Sequence, residues 1–265
     1  MSFRDRLGAA IAAHGHLCVG IDPHAELLRS WGLEDSAAGA RELGLRVVAA
    51  TAGVAGVVKP QAAFFERHGA DGAAALVEVL ASARAAGLFV LADAKRGDIG
   101  STMDAYAEGW LTPGADLEAD AMTVSPYLGV GALTPAFERA DAAGKGLFVL
   151  AATSNPEAAP LQGALLRDGR SVARAVVDEV RARGHGVVIG ATGALVAVGL
   201  DRDDLIGMPI LAPGHGAQGA RLVDARARFG DAADLVLASA SRSILRAGPD
   251  GLSDAIAAHA AEAQW

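Results

Sequence analysis

Short runs of apolar, largely β-branched residues recur along the chain at intervals of about 20 to 40 residues: Leu17–Asp22, Gly56–Lys59, Leu88–Lys95, Ala121–Tyr127, Leu147–Ser154, Val187–Thr192, Pro209–Pro213 and Leu235–Ser241. Between them lie stretches rich in Ala, Leu, Glu and Arg at helical spacing, such as GAAALVEVLASARAAG and GRSVARAVVDEVRARG. The runs are continuous rather than alternating. Such runs mark strands covered on both faces, as a parallel sheet with helical crossovers requires. Eight strand–helix units in a chain of 265 residues predict an α/β fold, a (β/α)8 TIM barrel, with a doubly wound open sheet as the rival. No linker rich in Pro, Gly or Ser divides the chain and no low-complexity tract appears, so residues 1–265 are expected to form a single domain.

Composition narrows the function class. With 23 Lys+Arg against 31 Asp+Glu the net charge is −8, and no basic block exists to neutralise a phosphate backbone, so nucleic acid is not an expected partner. No apolar stretch approaches the roughly 18 residues needed to cross a bilayer, and no membrane association is expected. One cysteine, Cys18, excludes an internal disulfide, and the charged start MSFRDRLGAAIAAHG lacks the apolar run of a signal peptide; a cytoplasmic location is expected. Only Lys59, Lys95 and Lys145 are lysines, against twenty arginines. Lysine can release a proton near neutral pH when its surroundings shift it, and arginine cannot. Lys145, in a Gly-Lys-Gly turn, reads as a chance retention; the context of Lys59 and Lys95 is different.

Several of the apolar runs end in polar groups: Asp22, Lys59, Asp93 with Lys95, Ser125, Thr153 with Ser154, and, just after the last run, Arg242. In a barrel the strand C-termini converge on one rim, so these residues are expected to meet in one pocket. The densest cluster is Asp93-Ala-Lys95-Arg96-Gly97-Asp98-Ile99. Positions two apart on an extended chain point the same way, which sends Asp93 and Lys95 into one space. An isolated D-x-K would be a local ion pair. With Lys59 at the neighbouring strand's exit, two lysines and two carboxylates are expected to alternate and hold one another ionised. This array suits formation of a carbanion with no metal and no cofactor. Repulsion of an anionic substrate group by Asp93 is worth about 4 kcal/mol at about 4 Å and an effective dielectric near 20, whereas enzymes supply about 8–23 kcal/mol. Stabilisation of the developing carbanion by fixed charge must therefore contribute more, aided by binding energy from a remote part of the substrate.

That remote part is expected to be a phosphate. Pro213-Gly214-His215-Gly216-Ala217-Gln218-Gly219 follows the seventh run and Ser239-Ala240-Ser241-Arg242-Ser243 ends the eighth. Glycine backbone N–H groups, the Gln218 amide and the Arg242 guanidinium suit a phosphate monoester, and the loops after strands seven and eight are a frequent phosphate site in barrels. Gly214–Gly219 also matches G-x-G-x-x-G, but a dinucleotide fingerprint belongs at the first βα turn, with an acid ending the next strand. His215 reads as loop packing and Cys18 as core filling; His14, His16 and His68 show no metal-ligand spacing.

The segments GIDPH (20–24), VVKPQAAFFERHG (57–69), LADAKRGDIGST (91–102), SPYLG (125–129), ATSNPE (152–157), PGHGAQG (213–219) and SASRSI (239–244) together resemble the orotidine 5′-phosphate decarboxylase family, in the form common to actinobacteria. The resemblance spans nearly the whole chain in order. It implies decarboxylation of orotidine 5′-monophosphate to uridine 5′-monophosphate in pyrimidine biosynthesis, with no cofactor. Lys59, Asp93, Lys95 and Asp98 would form a charged tetrad in which Lys95 protonates C6 and Asp93 lies beside the departing carboxylate. Asp22 and Lys59 would bind the ribose, Ser125 the pyrimidine, and Gln218 and Arg242 the phosphate. It also implies a homodimer in which Asp98, Ile99 and Thr102 reach into the partner's pocket. The loop departs from relatives in one respect, since Gly219 is followed by Ala220 where they often carry a second glycine. Rival readings of the same residues are a metal-dependent sugar-phosphate decarboxylase or aldol synthase on a related barrel, a Schiff-base aldolase, and a non-catalytic phosphate-binding barrel.

Overall fold

Eight parallel strands close into a barrel in the computed structural model, which describes residues 1–193, 195–216 and 219–265. They are β1 (Leu17–Ile21), β2 (Val57–Pro60), β3 (Phe89–Arg96), β4 (Ala121–Val124), β5 (Gly146–Ala152), β6 (Gly186–Ile189), β7 (Ile210–Pro213) and β8 (Val236–Ala240), in sequence order, with β8 pairing back to β1. Each lies within or beside one of the eight apolar runs, and the open-sheet rival is excluded by the closure. The crossovers after β1 to β5 each carry an α-helix of ten or more residues, the first being α2 (Ala37–Thr51) and the second α3 (Gly69–Ala85). The link from β6 to β7 does not. Its described residues form only short 3-10 turns, Leu195–Val198 and Arg202–Leu205, consistent with glycines at 190, 193, 199 and 207 that disfavour helix.

The floor of the barrel is plugged by α1 (Phe3–His14). Ser2 and Asp5 form a capping box at its start, each side chain accepting from the other residue's backbone N–H. Phe3, Leu7 and Ile11 then enter the barrel and pack with Cys18, Val57, Phe89, Leu91, Phe148 and other inward residues. Phe3 meets the Phe148 ring edge-on at 5.7 Å between centroids. Gly146 is needed there, since a Cβ would fall 2.2 Å from the Phe3 ring.

The inward face of the strands changes character with height. Apolar residues fill its lower layers, and two residues further along the same face come Lys59 on β2, Asp93 on β3, Thr123 on β4 and Ser239 on β8. The period-2 geometry that builds the interior thus also delivers polar groups to its upper end.

Lys145 holds a structural ion pair at the foot of the barrel. It is buried below β5 and its Nζ lies 2.8 Å from Glu118 Oε1; burial pushes its pKa down, with Glu118 opposing. Beside it Asp120 pairs with Arg6 of α1 and accepts from the Val90 N–H at 2.8 Å. This network ties the plug helix to the strand bases, at the barrel face where polar residues serve stability. Replacing Phe3 by Ala is expected to lower the free energy of unfolding by about 3–5 kcal/mol, read as a reduced urea midpoint, because the plug would leave a cavity among the barrel's aromatic rings.

Candidate active site

Asp93 stands at the centre of the upper layer. Its Oδ2 accepts from Lys59 Nζ at 2.8 Å, and its Oδ1 accepts from Lys95 Nζ at 2.5 Å and from the Thr123 hydroxyl at 2.9 Å. With the Gln61 amide turned to donate, its nitrogen reaches Asp93 Oδ2 at 2.9 Å and the Asp93 carbonyl at 2.7 Å. One carboxylate therefore receives four donors, two of them cationic. Lys59 is only 6% exposed and Asp93 9%, whereas the Lys95 side chain opens to the rim at 45%.

Burial alone would raise the Asp93 carboxyl. The charges of Lys59 and Lys95 and their hydrogen bonds outweigh it and hold the group well below the usual carboxylate range. Burial likewise works against the Lys59 ammonium, and the charges of Asp93 and then Asp22 overcome it, so its pKa is raised. These two side chains are a fixed ion pair across the whole neutral range.

The backbone is distorted to bring this about. Between Ala92 and Arg96 the β3–β4 register slips, four residues on β3 advancing against two on β4. Lys95 has φ +48°, a left-handed conformation adopted by no other described non-glycine residue. The Lys95 N–H is satisfied by the Thr123 hydroxyl at 2.9 Å, which in turn donates to Asp93. Thr123 therefore both supports the bulge and orients the carboxylate. A strained lysine at a strand end beside a buried acid is the kind of outlier that accompanies function.

Lys59 also faces a cavity of about 100 Å3 shared with Asp22, Gly214, His215, Ser239 and Arg242. Among the described residues, Asp22 Oδ1 and the Ser241 hydroxyl are buried there with no hydrogen-bond partner, which leaves polar groups turned to the cavity that a ligand could satisfy. His215 is buried, which pushes its ring down to about 4, and it is neutral near pH 7. Burial pushes the Cys18 thiol up to about 12, in keeping with its reading as core filling.

The expected residues do not all converge. Asp98 lies outside the cluster: its Oδ1 accepts from the Ile99 N–H at 2.8 Å, and among the described residues it has no ion pair. Within one chain the expected array of four is three, because β3 ends at Arg96 and the chain turns outward into α4 (Gly100–Leu111). The second acid whose charge acts on Lys59 is Asp22 instead. Ile99 is 62% exposed and Thr102 is exposed, both away from the cavity. Ser125 opens onto a different cavity, of about 360 Å3, with Tyr127, Leu150 and Gln162. Arg242 reaches the cavity of Asp22 and Lys59 as expected, while Gln218 lies outside the described residues. Thr123 and Gln61 join the site without being singled out by the motifs above. Period 2 from Ser125 was the available signal for Thr123; Gln61 stood in the V-V-K-P-Q segment without a role. Among the described residues no three His, Cys, Asp or Glu side chains gather to hold a metal ion, and no helix is long and apolar enough to cross a membrane.

Comparison with known proteins gives concordant matches. The family model described as orotidine 5′-phosphate decarboxylase / HUMPS matches residues 15–255. A Salinispora arenicola protein named orotidine 5′-phosphate decarboxylase is 50% identical over 254 residues, covering 94% of this chain and 91% of its own length. One of the same name from Streptomyces coelicolor is 51% identical over 253 residues, with the same coverages of 94% and 91%. Among solved structures, one from Streptomyces avermitilis superposes with a TM-score of 0.92 at 48% identity, over 98% of this chain and 94% of that one. Leishmania donovani OMP decarboxylase gives a TM-score of 0.78 at 35% identity, over 98% of both chains.

Native protein is expected to resist alkylation at Cys18. At pH 8 a thiol with a pKa of about 12 is ionised only about once in ten thousand molecules, and this one is fully buried. Iodoacetamide followed by mass spectrometry should leave the folded chain unmodified and label the unfolded chain; rapid labelling of folded protein would contradict the packing described here.

Proposed function

The chain belongs to the orotidine 5′-phosphate decarboxylase / HUMPS family, and from that premise we propose that it converts orotidine 5′-monophosphate to uridine 5′-monophosphate and carbon dioxide in pyrimidine biosynthesis. The observation that carries this reading is the sharing of one cavity. Lys59, bonded to Asp93, and Arg242, beside the glycine loop at Gly214, line the same space, so a charged reaction centre and an anion handle lie within one ligand's length.

In this reading Arg242 and Gln218 hold the phosphate and Asp22 and Lys59 the ribose hydroxyls; the resemblance assigns Ser125 to the base, although it lines the separate cavity beside Gln162. The substrate carboxylate lies against Asp93, whose charge is fixed by its four donors and cannot be relieved by protonation. The C6–carboxylate bond breaks, carbon dioxide leaves, and the electron pair stays on C6. Lys95 Nζ gives that carbon a proton and regains one from water at the open rim, so each turnover consumes one proton. Lys59 keeps Asp93 ionised and adds positive charge to the site. No step calls for a metal or organic cofactor, and an ammonium at position 59 would repel a divalent cation placed there.

Asp98 completes the tetrad from a second copy of the chain. Its position outside the cluster, together with exposed Ile99 and Thr102 on the same segment, supports a homodimer with shared pockets. A buried single cysteine suits a reducing compartment, and we place the reaction in the cytoplasm.

The purified protein is expected to consume orotidine monophosphate, followed by loss of ultraviolet absorbance, at an undiminished rate in EDTA. Lys95→Ala should lower kcat by about 10²–10⁴-fold, the range of general acid catalysis. No turnover by the parent, or turnover abolished by EDTA, refutes the reading, and a borohydride-trapped adduct on either lysine would replace it with Schiff-base chemistry. Mixing Lys95→Ala with Asp98→Ala subunits is expected to restore activity, because one hybrid pocket then holds an intact tetrad. A mixture shown to contain heterodimers but no recovered activity would count against the shared site.

A further inference from the structure

Behind the glycine loop lies a pair of side chains that the reaction just described does not use. The C-terminal helix, Gly248–Glu262, carries His259, whose Nδ1 is 2.7 Å from the Ala255 carbonyl oxygen and whose Nε2 is 3.1 Å from Ser243 Oγ. A carbonyl oxygen only accepts, so Nδ1 carries the proton, and in the neutral ring Nε2 is left as an acceptor. Ser243 must then donate to His259, which fixes a hydroxyl that would otherwise rotate freely.

Ser243 sits where two parts of the anion handle meet. It follows Arg242 directly in the chain, and Gly216 of the loop is packed against it. Gly216 has φ +74°, and a Cβ there would fall 2.4 Å from Ser243 Oγ and 2.5 Å from its Cβ. Gly216 is tied to both Gly219 and Ala220, its N–H donating to the Ala220 carbonyl at 2.8 Å and its carbonyl accepting from the Gly219 N–H at 3.0 Å, so a shift of Gly216 strains both bonds. His259 also borders a cavity of about 390 Å3 on the far side of the loop, shared with Gly219 and Glu262 and separate from the one that holds Asp22 and Lys59.

We propose that Ser243 and His259 are a positioning pair for the phosphate site: His259 holds the Ser243 hydroxyl, and Ser243 seats both the Gly216 turn and the adjoining Arg242. Neither residue borders the reaction cavity, so both act through the groups that do. The proposal rests on assigning the loop and Arg242 to the substrate's phosphate. Its signature is selectivity, because a misplaced anion handle weakens what carries a phosphate and leaves the rest of the ligand unaffected.

Calorimetric affinities for uridine 5′-monophosphate and for uridine test it in the parent, Ser243→Ala, His259→Phe, His259→Gln and the Ser243→Ala/His259→Phe double variant. Each of the first two variants is expected to weaken uridine monophosphate binding by roughly three- to tenfold, the range of one net hydrogen bond, with uridine bound as in the parent. KM for orotidine monophosphate should rise by the same factor while kcat stays within about twofold. The double variant should lose no more than either single one, since all three break one linkage. His259→Gln, whose side-chain oxygen can accept from Ser243, should recover most of the affinity. Parent-like nucleotide binding in Ser243→Ala and His259→Phe, equal weakening of uridine, or losses that multiply in the double variant would each overturn the pair. The calorimetric arms need no turnover. A parent that leaves orotidine monophosphate intact removes the proposed reaction but not the pair, whereas a parent that binds the nucleotide no more tightly than the nucleoside removes the phosphate assignment and the pair with it.

Discussion

A single buried carboxylate shared between two ammonium groups constrains the rest of this site. Asp93 and Lys59 are both almost wholly withdrawn from water, and each would be driven toward its neutral form if the other were absent. A buried pair of this kind roughly breaks even against an apolar replacement, but removing one partner leaves an uncompensated charge and costs about 3–5 kcal/mol. Stability therefore gives little reason for the pair to exist, and its value lies in fixed charge. Because Thr123 and Gln61 occupy the remaining lone pairs, the carboxylate neither rotates nor takes up a proton, and a substrate meets a field arranged before it arrives.

The cost of that arrangement appears in the backbone. A residue with a side chain in the left-handed region costs of order 1–3 kcal/mol, and Lys95 occupies it in the middle of a slipped register. Without the slip, the ammonium of Lys95 and the carboxylate of Asp93 would still share a face, but the Lys95 N–H would face β2, the side to which the Phe89 N–H and the Asp93 carbonyl point. With it, that N–H is handed to the Thr123 hydroxyl, and the strand end, the acid and the lysine become one hydrogen-bonded unit. The strain is thus offset locally, by bonds that also align the reacting groups.

What the sequence revealed and what it concealed divide along physical lines. The strands were legible because burial on both faces forces continuous apolar runs, and the meeting of Asp22, Lys59, Asp93, Lys95 and Arg242 followed once those runs were closed into a barrel. The β6–β7 link broke the alternation because four glycines weaken a helix that the pattern alone would supply. A Gly-Lys-Gly tripeptide says nothing of the distant Glu118 carboxylate that pairs with the buried Lys145. For Asp98 the turn out of β3 decides which way the side chain faces, and its place in the Asp93–Ile99 run does not reveal that turn. Thr123 carries only the weak mark of sharing a face with Ser125: a threonine in an apolar strand becomes fully informative when the bulge opposite frees an N–H for it to take.

The two ends of β3 explain why the distortion stays where it is useful. At its base, Val90 exchanges hydrogen bonds with Asp120, its N–H reaching the carboxylate and its carbonyl accepting the Asp120 N–H, each at 2.8 Å. Asp120 is itself tied to Arg6 on the plug helix, so the lower register of β3 on β4, Leu91 opposite Ala121 and Ala92 opposite Met122, is pinned from below. An irregularity in a strand held at one end can be absorbed only at the other. The charged network at the floor and the one at the rim are therefore not independent features of the barrel: the first fixes the strand against which the second is bent, and it does so at the barrel's opposite end, where it leaves the chemistry untouched.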